Sequence, residues 1–226
     1  MTRVEPAERP RLFTFDIFGT VVDWREGLLA AVRANGGKAG PAEFQAIIDH
    51  QADAERASYR PYAEIVAESL KRVLRMSRAR ARAIGDGAGG WPLFPDARDG
   101  LRRLLRMAPC VAMTNSDARH GSAVQRQLGF QLSDWICAEE VRRYKPDVAF
   151  WHAARARSGV PFGPHWWHVS AYADYDLETA SRLGLSVVFV ERPHSVPGYA
   201  LRRARDLREL AAWVEHISEE SPTSAL

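Results

Sequence analysis

The chain has 226 residues, 46% of them hydrophobic and 26% charged, which excludes a disordered chain and leaves room for one compact domain with a modest insertion, or for two units but not three. Lys and Arg number 31 against 28 Asp and Glu, and a net charge of +3 is too even a balance to mark a nucleic-acid binder. No stretch approaches eighteen consecutive apolar residues, so no transmembrane helix is expected. The polar start over residues 1–11 carries two prolines and lacks the apolar core of a signal peptide, so the expected location is cytoplasmic.

In chain order, residues 12–15 read as a short buried strand that ends on Asp16, with Gly19 allowing a sharp turn and Thr20 placing a hydroxyl four residues on. A helix is expected over 24–33, stopped by Asn35-Gly36-Gly37. Pro41 opens a second over 42–59, and after Arg60-Pro61 a third over 62–83 runs to the glycine-rich stretch 85–90. Within it the basic run 71–82 holds Val73, Leu74 and Met76 at helical spacing, which reads as one apolar face with the charges solvated. From Trp91 the pattern changes. Helices over 96–107, 117–128, 146–158 and 177–183 alternate with strands over 109–114, 134–138, 166–170 and 186–190, and Gly129, Gly159 and Gly184 close three of the helices. A polar turn over 193–198, a basic segment and a helix around 207–216 end the chain.

Five strands alternating with helices predict an α/β fold, a Rossmann-like parallel sheet with helices on both faces. The expected division is a core of residues 1–22 and 91–226 and an all-helical cap of residues 23–90, a lid over Asp16. Cys110 and Cys137 lie in short apolar runs and read as small buried residues rather than a disulfide. His165 and His168, three apart on a predicted strand, point to opposite faces, so zinc is not expected.

In an open parallel sheet ligands bind beyond the carboxyl ends of the strands. The residues there are Asp16, Thr114-Asn115, Lys145 in the loop before a helix, and the stretch Ser170-Ala171-Tyr172-Ala173-Asp174-Tyr175-Asp176. An ionised Asp beside a Lys is a ready nucleophile, and a second acid nearby is a candidate to orient or activate water. The phrase Asp16-Ile17-Phe18-Gly19-Thr20, followed by Val21-Val22-Asp23-Trp24, resembles the first motif of the haloacid dehalogenase superfamily, and within it the 2-haloacid dehalogenase branch. Thr114-Asn115, Tyr144-Lys145-Pro146-Asp147 and the Ser170–Asp176 stretch stand where the second, third and fourth motifs would.

The resemblance implies that Asp16 attacks carbon to give an ester, that Lys145 steadies it, and that Asp176 or Asp174 handles the hydrolytic water. It places a substrate carboxylate on Thr114 and on backbone N–H groups at Ile17, Phe18 and the loop after Thr114, with Asn115 against the leaving group. Thr20, Ser170 and Tyr172 complete the expected contacts, and Trp151 stands where the branch has a Tyr six residues after the lysine.

Several departures bear on the substrate. Phosphatases of the superfamily carry a general acid where this chain has Phe18, and a metal-holding Asp where it has Ala171. No cofactor is therefore expected; magnesium enters only under a phosphatase alternative, with Asp16 and Asp174 as ligands. The arginine that cradles halide in a Trp-Arg-x-x-Gln phrase is missing from the nearest match, Ile47-Ile48-Asp49-His50-Gln51, which leaves Arg56 and Arg60 as the nearby cations. Tyr172 replaces an Asn or His of the fourth motif, and one extra residue precedes Asp176. The expected activity is that of an L-2-haloacid dehalogenase, on a small carboxylic acid, with no nucleic acid or membrane partner. A non-catalytic binding module is a second alternative. Family resemblance is compatible with a homodimer, although no residue pattern demands one.

Overall fold

Leu12–Phe15 forms strand β1, and all four of its side chains are buried. The other strands are Cys110–Thr114 (β2), Asp134–Cys137 (β3), Trp166–Ser170 (β4), Ser186–Val190 (β5) and Arg202–Ala204 (β6). In this computed structural model, which describes residues 9–200 and 202–220, they make one six-stranded parallel sheet in the order β3-β2-β1-β4-β5-β6. Every residue of β1, β2, β4 and β5 is buried, as strands covered on both faces must be. The strand order reverses direction at β1, between β2 and β4. That is the switch point at which a doubly wound sheet opens a crevice, and Asp16 follows β1 directly.

Between β1 and residue 90 the described chain has four α-helices, Trp24–Ala34 (α1), Pro41–Arg56 (α2), Tyr62–Leu74 (α3) and Arg78–Asp86 (α4). The single helix expected over 62–83 is two. Arg75 takes a left-handed φ of 53° and ends α3, and Ser77 caps α4 by accepting from the Arg80 N–H at 3.4 Å. Six more helices flank the sheet: Ala97–Leu105 (α5), Ala118–Leu128 (α6), Ala138–Val141 (α7), Ala149–Ser158 (α8), Glu178–Arg182 (α9) and Leu207–Glu220 (α10). Both cysteines are buried and free.

The sixth strand was not expected from the sequence, because Arg202-Arg203-Ala204 has the composition of a solvated segment. It pairs with β5 on one side only, and its arginines lie over the rings of Trp167 and Phe189, at 4.5 and 5.1 Å from their centroids. Charged side chains on so short an edge strand discourage pairing with another chain.

Two buried carboxylates tie the helical insertion and the chain end to the crevice. Asp117, which precedes α6, accepts from the N–H groups of Tyr62 and Ala63 at 2.8 and 3.0 Å, and so satisfies two of the unpaired amides that open α3. Asp96 forms a bidentate pair with Arg192 at 2.8 and 2.8 Å and also accepts from the Leu207 N–H. The same guanidinium donates twice to the Thr20 carbonyl and stacks on Phe94, so the end of β5 holds the loop that carries Asp16.

Arg192→Met keeps the bulk but leaves Asp96 buried without its partner, and is expected to cost roughly 3–5 kcal/mol in urea denaturation at pH 7. Burial pushes Asp96 up, yet Arg192 holds it below the ordinary carboxylate value. Stability from a depressed acid is present above its unfolded pKa of about 4 and is lost as pH falls through the folded value. The gap between wild type and variant should therefore narrow below about pH 4; a gap of constant size would assign the loss to another contact.

Candidate active site

Asp16 ends β1 and is 3% exposed, and both of its oxygens are held. Oδ2 accepts from the Thr20 hydroxyl at 2.7 Å, and Oδ1 accepts from the Lys145 ammonium at 3.0 Å. The turn between them needs Gly19, whose φ of +103° is a glycine conformation. A Cβ built there would stand 2.1 Å from the Tyr172 hydroxyl. Thr20 Oγ1 in turn accepts from the Ala171 N–H at 2.9 Å, which fastens the first loop to the loop after β4.

The same ammonium donates to Asp176 Oδ2 at 2.8 Å, so one cation sits between two buried acids. The other oxygen of Asp176 faces His168 Nε2 at 3.1 Å, and His168 Nδ1 meets the Thr14 hydroxyl at 2.7 Å. Trp166 donates from its indole to that hydroxyl at 2.8 Å. Thr14 and Asp16 share one face of β1, Trp166 and His168 share one face of β4, and Thr14 is paired with His168 in the register. A polar chain therefore runs inside the core behind Asp16. In the sequence His168 was weighed only as a metal ligand; its two-residue spacing from Trp166 and Ser170 was the signal for this role.

The extra residue before Asp176 is absorbed by a π-helical turn over Ala173–Leu177, closed by the Leu177 N–H donating to the Tyr172 carbonyl at 3.2 Å. The wider turn accommodates one added residue while Asp176 still faces Lys145, and leaves Asp174 exposed. Asp174 does not line the cavity, and Asp16 and Asp176 are both engaged by Lys145. Among the described residues no three His, Cys, Asp or Glu side chains gather as a metal site.

The two acids titrate in opposite directions. Burial pushes both up. In Asp176 the Lys145 charge and then His168 outweigh burial and hold it below the ordinary carboxylate range. In Asp16 burial prevails over Lys145, with the negative Asp176 adding to it and Thr20 opposing it, so its pKa is raised. The sequence predicts the pull of Lys145, which is present, but not that desolvation exceeds it. Asp16 is thus the more basic of the pair.

Asp16 opens on a cavity of about 180 Å³, lined by Phe18, Trp24, Ile48, Gln51, Ala52, Glu55, Tyr62, Asn115, Tyr172 and Tyr175. Of the residues singled out in the sequence, Phe18, Asn115 and Tyr172 are on this wall. Ile17, Thr114 and Ser170 are buried beside it, with the Thr114 hydroxyl donating to Ser116 at 3.2 Å. Trp151 is buried against the His168 ring at a centroid distance of 5.4 Å and is not a wall residue. Arg56 pairs with Asp53 and Arg60 with Glu68 at the surface, and neither lines the cavity.

Sequence reasoning missed Trp24, Gln51 and Glu55. Trp24 donates to the Tyr172 hydroxyl at 2.8 Å, and Gln51 donates to Ser69 at 3.1 Å. Ile48, Gln51, Ala52 and Glu55 follow the i, i+3, i+4, i+7 spacing of one helix face, a signal that would have found them.

Comparisons with known proteins follow from this geometry. Residues 10–170 match the family model of haloacid dehalogenase-like hydrolases. No functionally curated protein matches the sequence significantly. Among solved structures, an L-2-haloacid dehalogenase is similar at 24% identity with a TM-score of 0.78, over 92% of this chain and 99% of that one. A defluorinating L-2-haloacid dehalogenase is similar at 23% identity, TM-score 0.78, over 91% and 95%. The L-2-haloacid dehalogenase of Xanthobacter autotrophicus, solved with chloropropionic acid covalently bound, is similar at 17% identity, TM-score 0.77, over 91% and 98%.

Lys145→Met should reverse the acid dependence of stability at this site. In the wild type the depressed Asp176 contributes stability above its unfolded pKa of about 4 and loses it as pH falls. Without the ammonium both acids rise above their unfolded values, and a raised acid stabilises only while it is protonated, at low pH. Denaturant midpoints should show the variant roughly 3–5 kcal/mol less stable than wild type at pH 7 and much closer to it at pH 4; equal losses at both values would show that the Lys145 charge does not set the titration of the two acids.

Proposed function

Because the chain belongs to the haloacid dehalogenase-like hydrolases, we propose that Asp16 is its nucleophile and displaces a leaving group from the α-carbon of a small 2-substituted carboxylic acid. The product of that step is an ester on Asp16, which water hydrolyses. One observation carries the reading: a desolvated carboxylate with both oxygens fixed forms the floor of a small cavity with aromatic walls. Fixing both oxygens removes the rotational freedom that an attacking carboxylate would otherwise lose at the transition state. The covalently bound chloropropionic acid in the structurally similar Xanthobacter autotrophicus enzyme supports the same chemistry.

The Thr114 hydroxyl is turned to Ser116, so we assign the substrate carboxylate to backbone N–H groups of the wall residues Phe18 and Asn115. In the second step water attacks the carbonyl carbon of the Asp16 ester. Lys145, already beside that group, stabilises the oxygen on which charge develops. Asp176, on the same ammonium, takes one proton of the water and passes it to the departing alkoxide oxygen, so that the alcohol is released as the intermediate collapses, and the second proton is lost as Asp16 returns to its carboxylate.

The test is a single turnover in heavy-oxygen water with 2-chloropropionate, 2-bromopropionate and oxirane-2-carboxylate as probes, followed by peptide mass spectrometry. Heavy oxygen is expected in the Asp16 peptide and not in the first product formed, and Asp16→Asn should lower turnover by roughly 10⁴-fold or more. Label found only in the product would mean that water attacks the substrate directly, and would remove Asp16 from the role.

A further inference from the structure

Displacement at a saturated carbon is in line, so the leaving atom departs on the side of the carbon opposite the nucleophile. Asp16 comes to the cavity from the sheet, and Ile48, Gln51, Ala52 and Glu55 line it from α2 of the helical insertion. Ile48 stands at the arginine position of the nearest match to the halide-cradling phrase, so the α2 wall presents no positive charge to a departing anion. Gln51 is engaged, its amide donating to Ser69 at 3.1 Å and its oxygen facing the Tyr62 hydroxyl at 3.5 Å. Glu55 is the remaining polar group on that wall.

The orientation of Glu55 is fixed from the core. The Lys145 N–H donates to Asn115 Oδ1 at 2.6 Å, which settles the flip of that amide and turns Nδ2 toward the Lys145 carbonyl at 3.2 Å and Glu55 Oε2 at 3.0 Å. An N–H donated to Oε2 makes that oxygen an acceptor, so a proton on this carboxyl belongs on Oε1. Such a group repels a halide when ionised and protonates an oxygen when neutral.

We propose that Glu55 is the general acid for a leaving group that must depart with a proton, and that the substrate class is a small epoxide carrying a carboxylate. This rests on Asp16 acting as the nucleophile. Among oxygen leaving groups on a saturated carbon, a strained three-membered ring is the one that a carboxylate opens readily. Asp16 forms a bond to a ring carbon, the ring C–O bond breaks, and its electron pair takes the proton from Glu55 Oε1. Water then cleaves the ester to release a vicinal diol acid, and its second proton returns to Glu55. Epoxide plus water gives diol, with nothing else consumed. Burial pushes Glu55 up to about 7, with Asp16 pressing the same way against Asn115, Lys145 and Arg56. The phenols of Tyr62, Tyr144 and Tyr175 also face it, and their own values are raised, so none carries charge near neutrality.

The full-length protein and its Glu55→Gln variant would be assayed on oxirane-2-carboxylate and on 2-chloropropionate, with thermal melts to show that both are folded. The ratio of diol to chloride formation is expected to fall by ~10²–10⁴-fold in the variant. The wild-type kcat for the epoxide should decline above about pH 7, and the variant should lose that limb. An unchanged ratio, or diol formation with the same pH profile in both proteins, overturns the role of Glu55. Heavy-oxygen labelling of Asp16 by 2-chloropropionate with no opening of the epoxide overturns the inference and leaves the nucleophile standing; no label from either probe overturns the reading beneath it.

Discussion

One ammonium held between two carboxylates, away from water, is the interaction on which the rest depends. Lys145 meets Asp16 at 3.0 Å and Asp176 at 2.8 Å, with no side-chain exposure of the lysine. A charge buried in this way is tolerable only when it is paired and hydrogen-bonded. The surroundings meet that need unevenly. Asp176 has His168 on its far side, and behind His168 stand Thr14 and Trp166. Asp16 has only Thr20 and the cavity. The imbalance gives the two acids opposite titration behaviour, and leaves the one that faces the cavity the more basic.

The cavity wall from the helical insertion is built on another principle. Helix α2 contributes one face at helical spacing, and the start of α3 is pinned by two amides donated to Asp117 of the core. Asn115 joins the two sides, because its amide accepts from the backbone of Lys145 and donates to Glu55. Glu55 is therefore positioned relative to the lysine that holds Asp16. Arginines near this wall are spent at the surface on Asp53 and Glu68, so the charge that does reach the cavity from the lid is acidic.

The extra residue before Asp176 shows how far sequence reading extends. Counting residues reveals the insertion, and counting alone leaves Asp174 and Asp176 as rivals. Backbone geometry separates them. A π-helical turn takes up the added residue, buries Asp176 against Lys145 and sends Asp174 to solvent. The strands over 166–170 and 186–190 could be read with their final bounds because each is a continuous apolar or β-branched run between breakers. Arg202–Ala204 could not be, since an edge strand that packs its arginines over aromatic rings lacks the pattern of a buried one.

By itself the sequence determined the α/β architecture and brought Asp16, Lys145 and the pair Asp174 and Asp176 to one place, because periodicity and motif spacing are local properties and strand ends in a parallel sheet converge. Tertiary structure alone decided what surrounds them. Desolvation of Asp16, the capture of Asp176 by His168 and the arrival of Glu55 beside Asn115 each depend on groups far apart in the chain that packing brings within 3–4 Å. Charge and reactivity in a buried site follow from those neighbours, and no local pattern of residues carries them.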